Sequence, residues 1–157
     1  METERLTIKR VNEQMDVVLN QLLENHQGLI ATGLKVFGPL NLMTLKLLVN
    51  SETILMIQGK ENKELLGIIA LLREYDSPGN IIPHVWEIGY FLLPEKRHHG
   101  YMTEGVLAVC SVLKKKNRYA QIHALVSKNN RSSQRVLERC QFKMVGMNDA
   151  ETEIWKR

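Results

Sequence analysis

The chain has 157 residues, of which 44% are hydrophobic and 24% are charged, a composition typical of one folded domain. Its net charge of +4 is only mildly basic and no nucleic-acid-binding motif is present, so we expect no nucleic-acid partner. The apolar runs are too short to cross a bilayer, and the charged N-terminus lacks the apolar segment of a signal peptide. We therefore expect a cytoplasmic protein without membrane contact.

The first half of the chain alternates between strand and helix patterns. Residues 3–10 alternate apolar and polar side chains, which predicts a first strand. Residues 12–25 and 41–49 carry apolar side chains at helical spacing, and the glycine-containing stretch 26–39 between them is predicted to be mainly loop. Residues 53–58 and 64–73 flank a polar stretch and predict a hairpin. The cluster Ser77-Pro78-Gly79-Asn80 predicts a turn before a strand at 84–93.

The second half continues with a strong amphipathic helix over residues 101–116 and a strand over 120–126. Asn130 is a typical N-cap for a helix that runs to residue 140, and residues 142–147 and 151–157 predict two closing strands. Cys110 and Cys140 fall on apolar positions of helices, so we expect free, buried thiols. Since repeats and linkers are absent, residues 1–157 are predicted to form a single mixed α/β domain.

A basic turn, Arg97-His98-His99-Gly100, joins the strand at 84–93 to the helix that follows. A strand, a glycine-containing turn and a helix N-terminus in this order present backbone N–H groups to a phosphate. The sequence contains neither a P-loop nor a dinucleotide-binding fingerprint. Taken alone, the turn is compatible with an ordinary connection as well as with a phosphate site.

Four ordered stretches resemble the GNAT superfamily of acyl-CoA-dependent N-acetyltransferases, in particular its RimJ/RimL (ribosomal-protein-alanine acetyltransferase-like) branch. They are Thr3-Glu4-Arg5-Leu6, Leu65-Leu66-Gly67, the segment from Glu87-Ile88-Gly89-Tyr90 through Arg97 and Gly100 to Glu104, and the segment Asn130…Ser133…Val136-Leu137-Glu138-Arg139…Phe142. The resemblance implies a twisted, mostly antiparallel sheet of about six or seven strands flanked by about four helices. It also implies a splayed pair of parallel central strands that forms the cofactor cleft.

The same resemblance implies transfer of an acetyl group from acetyl-CoA to a primary amine, either a protein N-terminus or a small molecule. Glu87 is the candidate base, because an ammonium must lose a proton before it can attack, and Ser133 is the residue expected near the thioester sulfur. The residues implied to hold the cofactor are Phe91, Leu92, Leu93, Arg97, His98, His99, Gly100, Tyr101, Met102, Thr103, Asn130 and Ser133.

Other interpretations of these residues stay open on the sequence alone. Glu87 can be an exposed strand residue, Ser133 can assist helix capping, and Tyr90 and Tyr101 are rival proton donors. A non-catalytic acyl-CoA-binding or sensing module on the same fold is the alternative function.

The sequence limits the ligands and partners that we expect. The histidines His84, His98, His99 and His123 lack metal-ligand spacing, so no metal is expected. His123 is within reach of the acceptor site from its strand, although a core or surface role is more common for such a residue. Residues 25–48 are predicted to bind the acceptor. Their apolar side chains favour an apolar pocket: Leu29, Ile30, Leu34, Val36, Phe37 and Met43. A homodimer remains possible.

Overall fold

The computed structural model describes residues 1–35 and 38–157. Their strands are β1 (Leu6–Arg10), β2 (Thr53–Gly59), β3 (Leu65–Tyr75), β4 (Ile81–Leu92), β5 (Gln121–Ser127), β6 (Lys143–Met147) and β7 (Thr152–Lys156). Their α-helices are α1 (Asp16–Glu24), α2 (His26–Ala31), α3 (Leu42–Ser51), α4 (Tyr101–Lys116) and α5 (Arg131–Arg139), and a short 3-10 helix covers Pro94–Lys96.

The strands form one sheet in the order β1-β2-β3-β4-β5-β7-β6. Every pairing is antiparallel except that of β4 with β5, which is parallel and, in the described residues, runs only from Val85 to Glu87 on β4. Beyond Glu87, β4 continues to Leu92 paired with β3 alone. The predicted splayed pair of parallel central strands is therefore confirmed, and it opens a cleft at the middle of the sheet.

Hydrophobic clusters cover both faces of the sheet. One cluster joins the sheet to α4 and α5 and includes Ile69, Val106 and Leu137. The other joins it to α1, α2 and α3 and includes Leu22 and Ile68. Because both faces are covered, β3 is a nearly continuous apolar run from residue 65 to 72 rather than an alternating one.

The prediction of a loop over residues 26–39 is wrong in its first part, where α2 forms. Gly28 and the short length of α2 weaken the helical pattern there, but packing against the sheet decides the structure. Leu29 is fully buried, and Gly28 lies so close to the ring of Phe91 that no side chain fits between them. The described residues thus contain five α-helices where about four were expected. Val36 and Phe37 of the predicted acceptor pocket lie outside the described residues.

The remaining elements agree with the sequence to within a few residues. The central strand β4 begins at Ile81 rather than residue 84, and it ends one residue before Leu93. Cys110 and Cys140 are both buried and unbridged, which confirms the prediction of free thiols. Within the described chain, every helix is too short or too polar to cross a bilayer.

Candidate active site

A cleft of about 850 Å³ opens where β4 and β5 separate. Residues 87–90 of β4 form one wall, and residues 124–127 of β5 with the first turn of α5 form the other. The end of α2 and the residues after it close the cleft on a third side. Three of the residues singled out in the sequence, Glu87, Asn130 and Ser133, line this one cavity.

Gly89 allows α2 to approach the sheet closely at this cleft. A Cβ on Gly89 would overlap the backbone carbonyl of Thr32, so only glycine lets the end of α2 rest on β4. Thr32 is itself buried, and its hydroxyl donates a hydrogen bond of 2.6 Å to the carbonyl of Leu29. The contact between Gly89 and Thr32 therefore fixes the distance between the end of α2 and the strand that carries Glu87.

Glu87 lies on the face of β4 that α2 covers, and its side chain is 22% exposed. Its Oε1 is close to Gly33, where a Cβ would be only 2.9 Å away. Burial raises the pKa of this carboxyl above its ordinary value, the nearby Glu74 carboxylate raises it further, and Lys35 acts in the opposite direction. A carboxylate with a raised pKa inside a cleft is suited to accepting a proton from an ammonium group.

His123 and Glu74 stand beside Glu87. In the parallel pairing His123 is the partner of Glu87, and its Nε2 lies 2.9 Å from Oε1 of Glu74 and 3.9 Å from Oε2 of Glu87. Burial lowers the pKa of His123, against the opposing effect of Glu74, so the neutral imidazole is favoured. The sequence showed His123 on its strand, but only the register of β3, β4 and β5 brings these three groups together.

Beyond Glu87, the edge of β4 that faces β5 has no strand pairing in the described residues. This free edge is available to an extended ligand. Backbone groups of successive strand residues alternate between the two edges. The N–H of Leu93 donates to Leu66 of β3, and the carbonyl of Phe91 lies against β3 as well. Tyr90 and Leu92 therefore direct their backbone groups toward the cleft, and the side chain of Phe91 belongs to the core.

Two side chains, one from β4 and one at the N-cap of α5, hold the first turn of α5 beside this edge. The Tyr90 hydroxyl donates a hydrogen bond of 3.1 Å to the carbonyl of Ser133, and the Asn130 side chain accepts one of 3.1 Å from the Ser133 N–H. Burial raises the pKa of Tyr90, so its phenol keeps its proton and uses it in that bond. In this arrangement two hydrogen bonds fix the backbone of Ser133 at the cleft wall.

The turn before α4 has the backbone geometry of an anion site. Gly100 is the N-cap residue with φ 80°, in the left-handed region that favours glycine, and no described side chain caps the helix. The first N–H groups of a helix lack intrahelical partners, so those of Tyr101, Met102 and Thr103 point out of the helix end. The Met102 side chain is buried in the core, which leaves its N–H as the group that can face a ligand.

The basic residues of this turn are exposed: Arg97, His98 and His99. Nε of Arg97 donates to the carbonyl of Leu92 at 3.3 Å, so its guanidinium folds back toward the end of β4. The N-terminal segment holds the turn from the other side. Arg5 pairs with Glu104 at 2.7 Å and donates a hydrogen bond of 3.0 Å to the carbonyl of His99.

No cluster of three or more His, Cys, Asp or Glu side chains in the described part of the chain has the arrangement of a metal site.

A family model described as "Acetyltransferase (GNAT) domain" matches residues 41–143. A search of curated proteins found no matching relative. Among solved structures, an acetyltransferase from Agrobacterium tumefaciens is 20% identical with a TM-score of 0.73, over 100% of this chain and 92% of that one. A ribosomal L7/L12 alpha-N-protein acetyltransferase in complex with coenzyme A is 16% identical with a TM-score of 0.77, over 99% and 94%. A variant of the spermidine N-acetyltransferase of Vibrio cholerae is 15% identical with a TM-score of 0.73, over 99% and 94%.

Proposed function

The chain belongs to the GNAT acetyltransferase family and is an acetyl-CoA-dependent N-acetyltransferase. From this premise we propose that it acetylates a primary amine held beside Glu87, in the cleft between β4 and β5. The observation that carries the proposal is the position of Glu87, a mostly buried carboxylate that lines the cleft next to the free edge of β4. The acceptor is a protein N-terminal amine or a small-molecule amine.

The residues around the cleft fit coenzyme A. Its pyrophosphate binds the outward N–H groups of Tyr101, Met102 and Thr103 at the start of α4, where no described side chain competes as a cap. Arg97 and the two histidines after it add exposed hydrogen-bond donors to the same turn. The backbone of His98 has a positive φ of 67°, which forms part of the turn. The amides of the pantetheine arm pair with the backbone of Tyr90 and Leu92, and Asn130 lies on the opposite wall.

Glu87 performs the proton transfer. Acetyl-CoA supplies an activated acetyl group as a thioester, and the chain has to provide a neutral amine beside it. The Glu87 carboxylate accepts the proton of the ammonium, directly or through one water. The raised pKa of Glu87 is closer to that of an amine, which favours the proton transfer.

Ser133 serves the leaving group. Its hydroxyl has no hydrogen-bond partner among the described residues and lies in the first turn of α5, on the cleft wall opposite β4. From this position it donates a hydrogen bond to the departing thiolate. The rival donor, Tyr90, already donates to the Ser133 carbonyl, so its contribution is to fix α5 rather than to move a proton.

The acceptor enters from the side formed by α2 and α3. Apolar side chains from both helices and the segment after α2 line this side of the cleft, namely Ile30, Ala31, Leu34 and Leu48. They favour an acceptor whose amine is attached to an apolar group. We place the reaction in the cytoplasm, and the two free, buried thiols support that location.

Thermal unfolding with increasing acetyl-CoA tests the cofactor site. A ligand at a hundredfold excess over its Kd stabilises the native state by about 2.7 kcal/mol, which raises Tm by roughly 5–10 °C for a domain of this size. Gly100→Ala should lose most of this gain. Gly79→Ala is the matched control, because Gly79 also has a positive φ, 89°, but lies in a turn with open space around it. Equal stabilisation of both variants would contradict the assigned turn.

A panel of amines then tests the reaction, with free thiol as the readout. Peptides with different N-terminal residues and small apolar amines represent the two acceptor classes. We expect thiol release that requires both acetyl-CoA and one class of amine. Binding of acetyl-CoA without release across the panel would instead support the non-catalytic module, and absence of both binding and release would overturn the proposal.

A further inference from the structure

The face of the sheet covered by α2 carries three titratable side chains in contact with one another. Glu74 comes from β3, Glu87 from β4 and His123 from β5. The pairing of β3 with β4 is irregular between Arg73 and Tyr75, so Glu74 stands outside the regular register. Bulges of this kind re-aim a side chain and are frequent next to active sites.

Glu74, which does not line the cleft, is the most exposed of the three side chains, and His123 between the two glutamates is the least exposed. Glu87 is 22% exposed and His123 is 9% exposed, whereas Glu74 is 36% exposed. The imidazole Nε2 faces both carboxylates, at 2.9 Å from Glu74 and 3.9 Å from Glu87. The first distance is that of a close pair, whereas the Glu87 oxygen must move closer to Nε2 before a proton can pass between them. The buried imidazole thus connects a cleft carboxylate with one that reaches solvent.

We propose that His123 and Glu74 carry the proton from Glu87 to solvent after each acetyl transfer. This inference rests on the proposed function, because it takes Glu87 as the group that receives the proton. The protonated Glu87 gives its O–H proton to the lone pair of Nε2, which restores the carboxylate and forms an imidazolium with both nitrogens protonated. The Nε2 proton then passes to the Glu74 carboxylate, and Glu74 releases it to water.

The charged surroundings suit a group that is protonated only briefly. Lys156 of β7 is the register partner of His123 and disfavours the imidazolium, and Lys35 after α2 favours the ionised form of Glu87. The Glu74 carboxylate acts in the opposite direction to Lys156 on His123 and to Lys35 on Glu87. Burial and Lys156 thus both disfavour the imidazolium, as suits a group that only passes a proton between two carboxylates.

The experiment compares kcat and the KM for acetyl-CoA of Glu74→Gln and His123→Ala at several buffer concentrations. The matched controls are Glu61→Gln in the exposed hairpin turn and His84→Gln at an exposed position of β4. We expect kcat at low buffer to fall by about tenfold in both relay variants, with KM for acetyl-CoA unchanged. We also expect kcat to recover as imidazole buffer increases, because a soluble base replaces the missing carrier. The wild type and the controls should not respond to buffer.

The remaining outcomes distinguish a failure of the relay from a failure of the proposed function. Relay variants with the kcat of the controls, or with a lowered kcat that buffer does not restore, overturn the relay and leave Glu87 as the base. Glu87→Gln with the wild-type kcat overturns the proposed function itself. If His123→Ala fails to fold in a thermal melt, Glu74→Gln decides alone, since Glu74 is a partly exposed surface residue.

Discussion

Replacing Arg5 tests how the N-terminal segment positions the turn at Gly100, which we propose to bind the cofactor. Nε of Arg5 donates to Oε2 of Glu104 at 2.7 Å, its backbone N–H donates to Oε1 of the same side chain at 2.9 Å, and an Nη donates to the His99 carbonyl at 3.0 Å. Its guanidinium also lies 4.9 Å from the ring centre of Tyr101. Arg5 therefore touches the residues on both sides of Gly100.

The expected loss of free energy on replacing Arg5 follows from the burial of Glu104 and the exposure of Arg5. Arg5→Met keeps the aliphatic stem but removes the ion pair and leaves Glu104, whose side chain is only 18% exposed, without its cation. Hydrogen bonds to charged groups contribute about 1.5–3 kcal/mol. Because the Arg5 side chain is 46% exposed, solvent screening reduces this to about 1–2 kcal/mol. If the loss falls on the turn geometry, the KM for acetyl-CoA rises by about 5–30-fold.

Steady-state kinetics and thermal melts on the same samples provide the assay. Arg10→Met is the matched control, since Arg10 is exposed at the end of β1, the strand that Arg5 directly precedes. We expect Arg5→Met to raise the KM for acetyl-CoA with little change in kcat, and Arg10→Met to change neither. A lowered Tm for Arg5→Met with an unchanged KM would refute the reasoning, because the contact would then stabilise the fold without positioning the turn.

Two further predictions concern contacts around the cleft. Gly89→Ala should lower stability by about 1–3 kcal/mol or more, because its Cβ meets the Thr32 carbonyl. Gly146→Ala is the control and should be neutral, since Gly146 has open space around it. Thermal melts of both variants check this. Tyr90→Phe should lower stability by about 0.5–1.5 kcal/mol through the lost hydrogen bond to Ser133 but keep most of kcat, and a loss of kcat above a hundredfold would instead make Tyr90 the proton donor.

A separate prediction concerns Glu104 and the loss of stability at low pH. Burial alone raises the pKa of this carboxyl, but hydrogen bonds from Thr3 and Arg5 and the charge of Arg5 outweigh it and hold the pKa below its ordinary value. The contribution of this contact is therefore complete above the unfolded pKa and is lost as pH falls through the lower, folded pKa. Acid denaturation of Glu104→Gln should lack this part of the pH dependence that the wild type shows.

Local patterns were sufficient for most of the fold. The strand that carries Glu87, the amphipathic helix α4 and the cap at Asn130 each depend on neighbours within a few residues, and all three appear as predicted. Helix α2 was missed because a six-residue segment that contains a glycine has little helical signal of its own. It exists because Leu29 is buried against the sheet and because Gly28 accommodates Phe91.

The site was predictable only as separate pieces. Glu87, the turn at Gly100 and the Asn130–Ser133 segment carry signals within the sequence, and the structure brings Glu87, Asn130 and Ser133 to one cleft. The contact of His123 with Glu74 depends on the register of three strands and on an irregularity in β3, and no local pattern encodes either.

The pH dependence of kcat/KM for wild type and Glu87→Gln tests the central claim most directly. Glu87 has a raised pKa, so wild-type activity should decline toward acid at a pH above that at which an exposed carboxyl titrates. Glu87→Gln should lose about 10²–10⁴-fold in kcat and should lack this acid limb, while acetyl-CoA still stabilises it against heat. A Glu87→Gln enzyme with the wild-type rate and the wild-type acid limb would contradict the assignment of Glu87 as the base.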